Sequence, residues 1–309
     1  MMRIDLSAPA CLYLGIAPVD GEWCELGVAL THPPLMLTAT KADEFVVSGA
    51  RAEYTHEQAM RNFAAQALRP RGNVEIEFGL HSQMGIGSDA VHTFAVCSAL
   101  QQLYGLTAPA RAVFARSVGL PLQCFEWSAY EQGGIVAVGN NNVLQRRIEI
   151  PVSDDDDGAW VWVLVLPRLD DTIPENYEMR ERASRWNGRK TLSYSKFEDV
   201  ANLLFKAIEL RDFDLVCSAV KSYSLLQSGL HGVREDARDM VEFMQANGAG
   251  VSCLSSSGLG IYALIKGTRA SQELRDAITR NYGYEGPAVF GALTNNVGAL
   301  LTVHDEPSN

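Results

Sequence analysis

No stretch of this sequence is apolar for long enough to cross a bilayer. The longest such run, Ala159 to Pro167 (AWVWVLVLP), falls far short of the roughly 20 residues that a spanning helix needs. The opening residues, Met1 to Asp5, lack the apolar run of a secretory signal, so the expected compartment is the cytoplasm. Cysteine pairs are missing too: Cys11, Cys24, Cys97, Cys124, Cys217 and Cys253 are scattered, and no two stand at metal-clip spacing. That argues against a zinc ribbon or a redox pair and fits reduced thiols in a cytoplasmic protein. The six histidines show no metal-ligand spacing. Basic excess is absent: the formal net charge is -11, which disfavours nucleic acid and anionic membrane as partners. A phosphorylated small molecule would have to be met by a local positive site or a metal. No internal repeat or low-complexity tail is present. What remains is 309 residues with 47% hydrophobic and 20% charged content, enough for one large or two medium globular domains.

The stretch from Val74 to Tyr104 organises the chain. Val74, Ile76 and Phe78 alternate with Glu75 and Glu77, the period of a half-buried strand. The turn Met84-Gly85-Ile86-Gly87 follows. Ser88 can cap a helix there, and Asp89 adds a carboxylate to its first turn, where the helix dipole favours it. Strand, glycine loop and helix amino terminus together can cradle phosphate, because glycines admit an anion close to the backbone and unpaired N–H groups point at it. Gly85, Ile86, Gly87, Ser88 and Asp89 are therefore the candidate phosphate loop. Ser88 and Asp89 are also candidate metal ligands. A tight connection that binds nothing is the alternative, and Asp89 competes with an anion for the same N–H groups unless a metal lies between them.

The rest of the chain divides into short segments. Residues 3–50 alternate as strands, with a turn at Asp20-Gly21 and a break at Pro33-Pro34. Tyr54 to Leu68 has helical spacing, with Thr55 as its cap. Helices are expected over Ala108 to Val118 and Gln123 to Gln132. A hairpin is expected from Ile135 to Ile150 around Asn140-Asn141-Asn142. Asp154 to Gly158 is a charged turn, and the domain boundary is placed there, giving 1–157 and 158–309. Trp160 to Leu166 reads as a buried strand. Arg168 to Lys190 lacks a clean period and reads as a mobile loop with a short helix. Helices follow over 197–209, 212–226, 234–247 and 271–281. Strands are expected at Val251, Ile261 to Ile265 and on each side of Asn295-Asn296.

Three motifs in order carry a family resemblance: Met84-Gly85-Ile86-Gly87-Ser88, Glu131-Gln132-Gly133-Gly134-Ile135-Val136, and Cys253 to Tyr262 (CLSSSGLGIY). They resemble the phosphate loop, the glycine pair and the carboxy-terminal loop of the GHMP kinase superfamily. The last, with the opening Ala8 to Gly15 (APACLYLG), looks most like the β-ribofuranosylaminobenzene 5′-phosphate synthase branch. The resemblance spans nearly the whole chain. It implies a two-domain α+β fold, with a βαβ-containing amino-terminal domain and a ferredoxin-like α/β sandwich after it, commonly as a homodimer. It implies Mg²⁺ and a phosphorylated small-molecule substrate. In that branch, phosphoribosyl pyrophosphate is coupled to an aromatic or heteroaromatic carboxylic acid, with loss of CO₂ and pyrophosphate, to give a C-riboside of pterin biosynthesis.

The site residues that the resemblance suggests are His81 and Ser88 for catalysis, and Tyr13, Gly133, Gly134, Ser255, Ser256, Ser257 and Gly258 for substrate. Each has a plainer reading: a loop histidine, a polar turn, or close packing of helix on strand. Glu126 is a further candidate beside the substrate. Arg180, Arg182, Arg185, Arg189 and Lys190 form the densest basic cluster, either exposed loop charges or a clamp on phosphate. The sequence departs from the family at Cys11, Tyr13, His81, Gln83 and Ala137, where Arg, His, Pro, His and Asp are usual. Three activities stay open: the ribosyl transfer, an ATP-dependent small-molecule kinase, and a non-catalytic paralogue that acts as a binding or partner subunit.

Overall fold

The computed structural model describes residues 2–106, 124–140, 143–151, 153, 155–168, 177–228, 235–283 and 285–305. Strands β1 (Met2–Val19) and β2 (Glu22–Thr40) form a long hairpin closed at Asp20-Gly21, whose φ values of 49° and 90° suit the two-residue turn. The expected break at Pro33-Pro34 does not end the strand. The extra residues are absorbed where the register slips between Ala8 and Ala10, so prolines that lack an N–H sit in the irregularity and not in the ladder. β3 (Phe45–Gly49), α1 (Ala52–Ala65) and β4 (Gly72–Phe78) make a parallel βαβ unit. α1 begins two residues earlier than the sequence suggests, and Thr55 does not cap it. The cap position is Arg51, left-handed at φ 54°.

α2 (Ser88–Tyr104) and α3 (Phe125–Gln132) pack against this sheet, and β5 (Ile135–Val138) and β6 (Leu144–Ile148) extend it from β2. The helix expected over 108–118 and the turn residues Asn141 and Asn142 lie outside the described residues, as does Asp154.

β7 (Trp160–Leu166) opens the second sheet. Its residues are all buried because alternate side chains enter different cores. Trp160, Trp162, Leu164 and Leu166 face the core shared with the first sheet, whereas Val161, Val163 and Val165 face a smaller one. Among the described residues four helices follow: α4 (Tyr177–Gly188), α5 (Tyr194–Glu209), α6 (Phe213–Ser228) and α7 (Glu235–Ala246). Then come β8 (Val251–Leu254), β9 (Ile261–Lys266), α8 (Thr268–Tyr282) and β10 (Ala288–Ala292). The strand order β10-β7-β9-β8, antiparallel throughout, is that of a ferredoxin-like sandwich. The last strand, β11 (Leu300–Asp305), does not stay with it. It returns to the first sheet and pairs with β1. Among the described residues no helix is long and apolar enough to cross a membrane.

Candidate functional site

The glycine loop runs from the end of β4 to α2, pressed between β1 and the serine-rich turn that joins β8 to β9. The Tyr13 N–H donates to Gly85 O at 2.9 Å and the Cys11 N–H to Ile86 O at 2.8 Å. From the other side, the Leu259 N–H donates to Gln83 O at 2.9 Å and the Gly260 N–H to Met84 O at 3.2 Å. Gly85 has φ +71°, and a Cβ there would stand 2.9 Å from Gly258 N and closer still to Ser255 Oγ. Gly85 and Gly258 are thus glycines because two backbones touch. The loop and the serine turn are neighbours, as the ligand reading requires.

The serine turn is bonded to the protein itself. Ser255 Oγ lies 3.3 Å from Gly85 O and 3.5 Å from Tyr13 O. Ser256 Oγ lies 2.6 Å from both Leu14 O and Gln227 Oε1, and its single proton serves one of them. Of the three, Ser257 alone keeps a buried hydroxyl with no partner. Gly133 and Gly134 are elsewhere: a Cβ on Gly133 would stand 2.6 Å from Asn296 C, and the Gly134 N–H donates to Asn295 O at 2.7 Å. The glycine pair makes room for the segment leading to β11, which is the packing reading. His81 is exposed and lines an open cleft of about 450 Å³ with Met84, Arg168 and Pro287, on the side of the loop away from the serine turn's hydroxyls.

At the α2 amino terminus the cap is Gly87, and Ser88 is already helical, so the expected Ser88 cap is absent. Arg51 explains why. It donates to Ser88 Oγ at 3.2 Å and to Asp89 Oδ1 at 2.7 Å, with its guanidinium 4.3 Å from the Tyr54 ring centre. His92 Nδ1 lies 2.8 Å from Ser88 O, and burial and Arg51 lower its pKa to about 4, so the ring is neutral. Ser88 Oγ and Asp89 Oδ1 are 3.4 Å apart. A hydroxyl and one carboxylate fit Mg²⁺, which usually takes one or two carboxylates and completes its shell with phosphate and water. Among the described residues no cluster of three histidine, cysteine or acidic groups could hold a metal by itself.

Helix α4 fills the space above the loop. The Gly85 N–H donates to Glu178 Oε2 at 3.1 Å, and the Glu178 N–H donates to Gln83 Oε1 at 2.8 Å. One turn on, Arg182 is 4% exposed, pairs with Glu25 at 2.6 Å and Glu126 at 2.5 Å, and stacks over Tyr13 and Phe125. Glu126 also borders the loop, with its Cγ 2.8 Å from where a Gly87 Cβ would stand. Two buried carboxylates share one guanidinium, which leaves an excess of negative charge. Burial pushes the Glu25 carboxyl up to about 7 against the pull of Arg182. Burial and the nearby Asp89 push Glu178 up to about 7 as well. Tyr13 is enclosed, and burial raises its pKa well above the usual value, so it remains a neutral phenol.

The sequence therefore placed the loop and the serine turn together but did not single out Glu25, Arg51 or Glu178, and it left Arg182 in a basic cluster read either as exposed loop charges or as a clamp on phosphate. The available signals were modest: Glu25 interrupts an apolar strand, and Glu178 and Arg182 stand four apart on one helical face. Of the rest of the basic cluster, Arg180 and Lys190 are exposed, Arg189 stacks on Trp186, and Arg185 donates to Gln227 Oε1 at 3.3 Å.

No protein-family model matches the chain, and no curated protein matches its sequence. Solved structures do match its fold. Homoserine kinase from Cytophaga hutchinsonii superposes with a TM-score of 0.64 at 16% identity, covering 97% of each chain. Mevalonate diphosphate decarboxylase from Staphylococcus aureus gives 0.67 at 13% identity, covering 98% of each. A protein solved with MVAPP, AMPPCP and magnesium gives 0.64 at 14% identity, covering 98% of this chain and 99% of that one. The chain has the fold of the GHMP kinases over essentially its whole length.

Proposed function

We propose that the chain is a small-molecule phosphotransferase of the kinase type. Its loop Gly85 to Asp89 takes the phosphates of a nucleoside triphosphate. The observation that carries this reading is the bond from the Gly85 N–H to the Glu178 carboxylate: the loop already receives an anion, one supplied by the protein. A triphosphate takes that place when Glu178 withdraws. Phosphoryl transfer asks little covalent chemistry of a protein; it needs placed positive charge and a group that orients the attacking hydroxyl. Arg51 is the cation beside Ser88. Glu126, next to Gly87 and oriented by Arg182, is the carboxylate that accepts the proton of the acceptor hydroxyl as its oxygen bonds to phosphorus. Ser88 and Asp89 would hold Mg²⁺, which neutralises charge on the phosphates. The finer expectation, ribosyl transfer from phosphoribosyl pyrophosphate, uses the same loop for a leaving pyrophosphate, and no side chain around the loop favours it over phosphoryl transfer.

A second reading has its own observation. Glu178 and Arg182 together fill the cleft, as they would in a subunit that keeps the fold without turnover. Melting curves separate the three activities. The kinase reading expects ATP with Mg²⁺ to raise the melting temperature, more so in Glu178→Gln, and phosphoribosyl pyrophosphate to leave it unchanged. A shift with phosphoribosyl pyrophosphate alone turns the assignment to ribosyl transfer. No shift with either, in wild type and in Glu178→Gln alike, leaves the non-catalytic subunit.

A further inference from the structure

A second cavity, of about 370 Å³, lies where α4, α6 and α7 meet the β8 edge. It is within the size range of small-molecule sites. The serine turn is common to it and the glycine loop: Ser255, Ser256 and Gly258 line the cavity, and Gly258 is pressed on Gly85. Three cations from three helices converge on it: Arg185 of α4, Lys221 of α6 and Arg238 of α7. Two carboxylates, Glu181 and Glu242, also line it, so the local balance is one positive charge in a chain whose net charge is -11. Lys221 and Arg238 are both exposed at its mouth. Arg185 is held by Gln227, yet its Nε is buried with no acceptor. Leu14, Val241 and Leu254 supply apolar wall.

We propose that this cavity binds a small organic anion: a carboxylate or phosphate head among Arg185, Lys221 and Arg238, and an apolar body against Leu14, Val241 and Leu254. Guanidinium and ammonium groups on three sides suit an oxyanion, and the walls suit a short chain or a single ring. The site does not depend on the phosphotransfer reading, because no residue of the glycine loop lines it.

The test is titration calorimetry and saturation-transfer NMR on the full chain with hexanoate, hexyl phosphate and hexylamine. The expected result is binding of one or both anions and none of the amine; whichever anion binds more tightly names the head group. Lys221→Gln with Arg238→Gln should weaken that binding at least about tenfold, since each replaces a charged hydrogen-bond donor. Both residues are on the surface, so the fold is retained, which a melting curve verifies. Lys221→Glu should weaken it further. The proposal is overturned if neither anion binds, if hexylamine binds equally well, or if the substitutions leave anion affinity unchanged. Unaltered ATP binding in the same variants would keep this site distinct from the loop.

Discussion

Glu178 is the residue on which the loop's behaviour turns. Its carboxyl is raised to about 7 by burial and neighbouring carboxylates, so it is largely neutral near pH 6 and charged near pH 8. A charged Glu178 repels a phosphate and holds the Gly85 amide more firmly. Affinity for ATP with Mg²⁺ should therefore fall from about pH 6 to about pH 8 in the wild type and stay flat in Glu178→Gln, as calorimetry at each pH would record. Stability follows the same sign. A carboxyl whose folded pKa lies above its unfolded value stabilises the fold at low pH and loses that contribution as pH rises toward about 7. The melting temperature should drop across that interval, less steeply in Glu178→Gln. Arg182 acts in the opposite sense. Arg182→Met would leave Glu25 and Glu126 buried without a cation, and the expected loss is about 3–5 kcal/mol in urea denaturation. Glu126→Gln keeps the Glu25 pair, so it should fold well and abolish turnover; a variant with full activity removes Glu126 from the proposed chemistry.

At the scale of elements, what was legible follows from period. β7 begins and ends where its apolar run does, and the helices from α5 to α8 lie within a few residues of their spacing patterns. Helix α4 is where the pattern misleads. Its face of Tyr177, Glu178, Glu181, Arg182 and Arg185 has the charge of a solvated helix, yet Arg182 is buried because Glu25 and Glu126 wait for it across the fold. A pairing made by residues 157 and 56 positions away leaves no mark in a local window. The glycine pair shows the same limit. Gly133 serves ligand or backbone equally well in a local window, and only the fold shows residues 295–297 passing against it. The loop and serine turn lie close enough to be tested as one element. Gly258→Ala would drive a methyl into the Gly85 amide, where backbone cannot yield. It should destabilise by about 1–3 kcal/mol or more and weaken nucleotide binding. Gly188→Ala, with open space around it, should do neither, and denaturation and titration of both variants make the comparison.

At the scale of the whole molecule, the two sheets are fastened by the chain's own end. After β10 the segment 293–299 runs between them. The Thr31 N–H donates to Leu293 O at 2.9 Å, the Asn295 N–H to Ala29 O at 2.8 Å, and the Ala299 N–H to Tyr130 O at 2.6 Å. Trp162 of the second sheet donates to Thr294 Oγ1 at 3.0 Å, and Arg147 of the first donates to Asn296 O at 2.6 Å. β11 then closes the edge at β1. A cut at residue 157 separates β11 from β1 and strips cover from Trp160, Trp162, Leu164 and Leu166. Hydrophobic burial is the main favourable term of folding, so a half that loses that much of it should not hold its structure alone. Fragments 1–157 and 158–309 expressed apart should each show poorly dispersed NMR spectra and no cooperative melt. Expressed together, they should co-purify and regain both. A sharp independent melt of 158–309 would mean that the ferredoxin-like sheet needs no cover from the first, and that the cleft between glycine loop and serine turn lies between two units free to part.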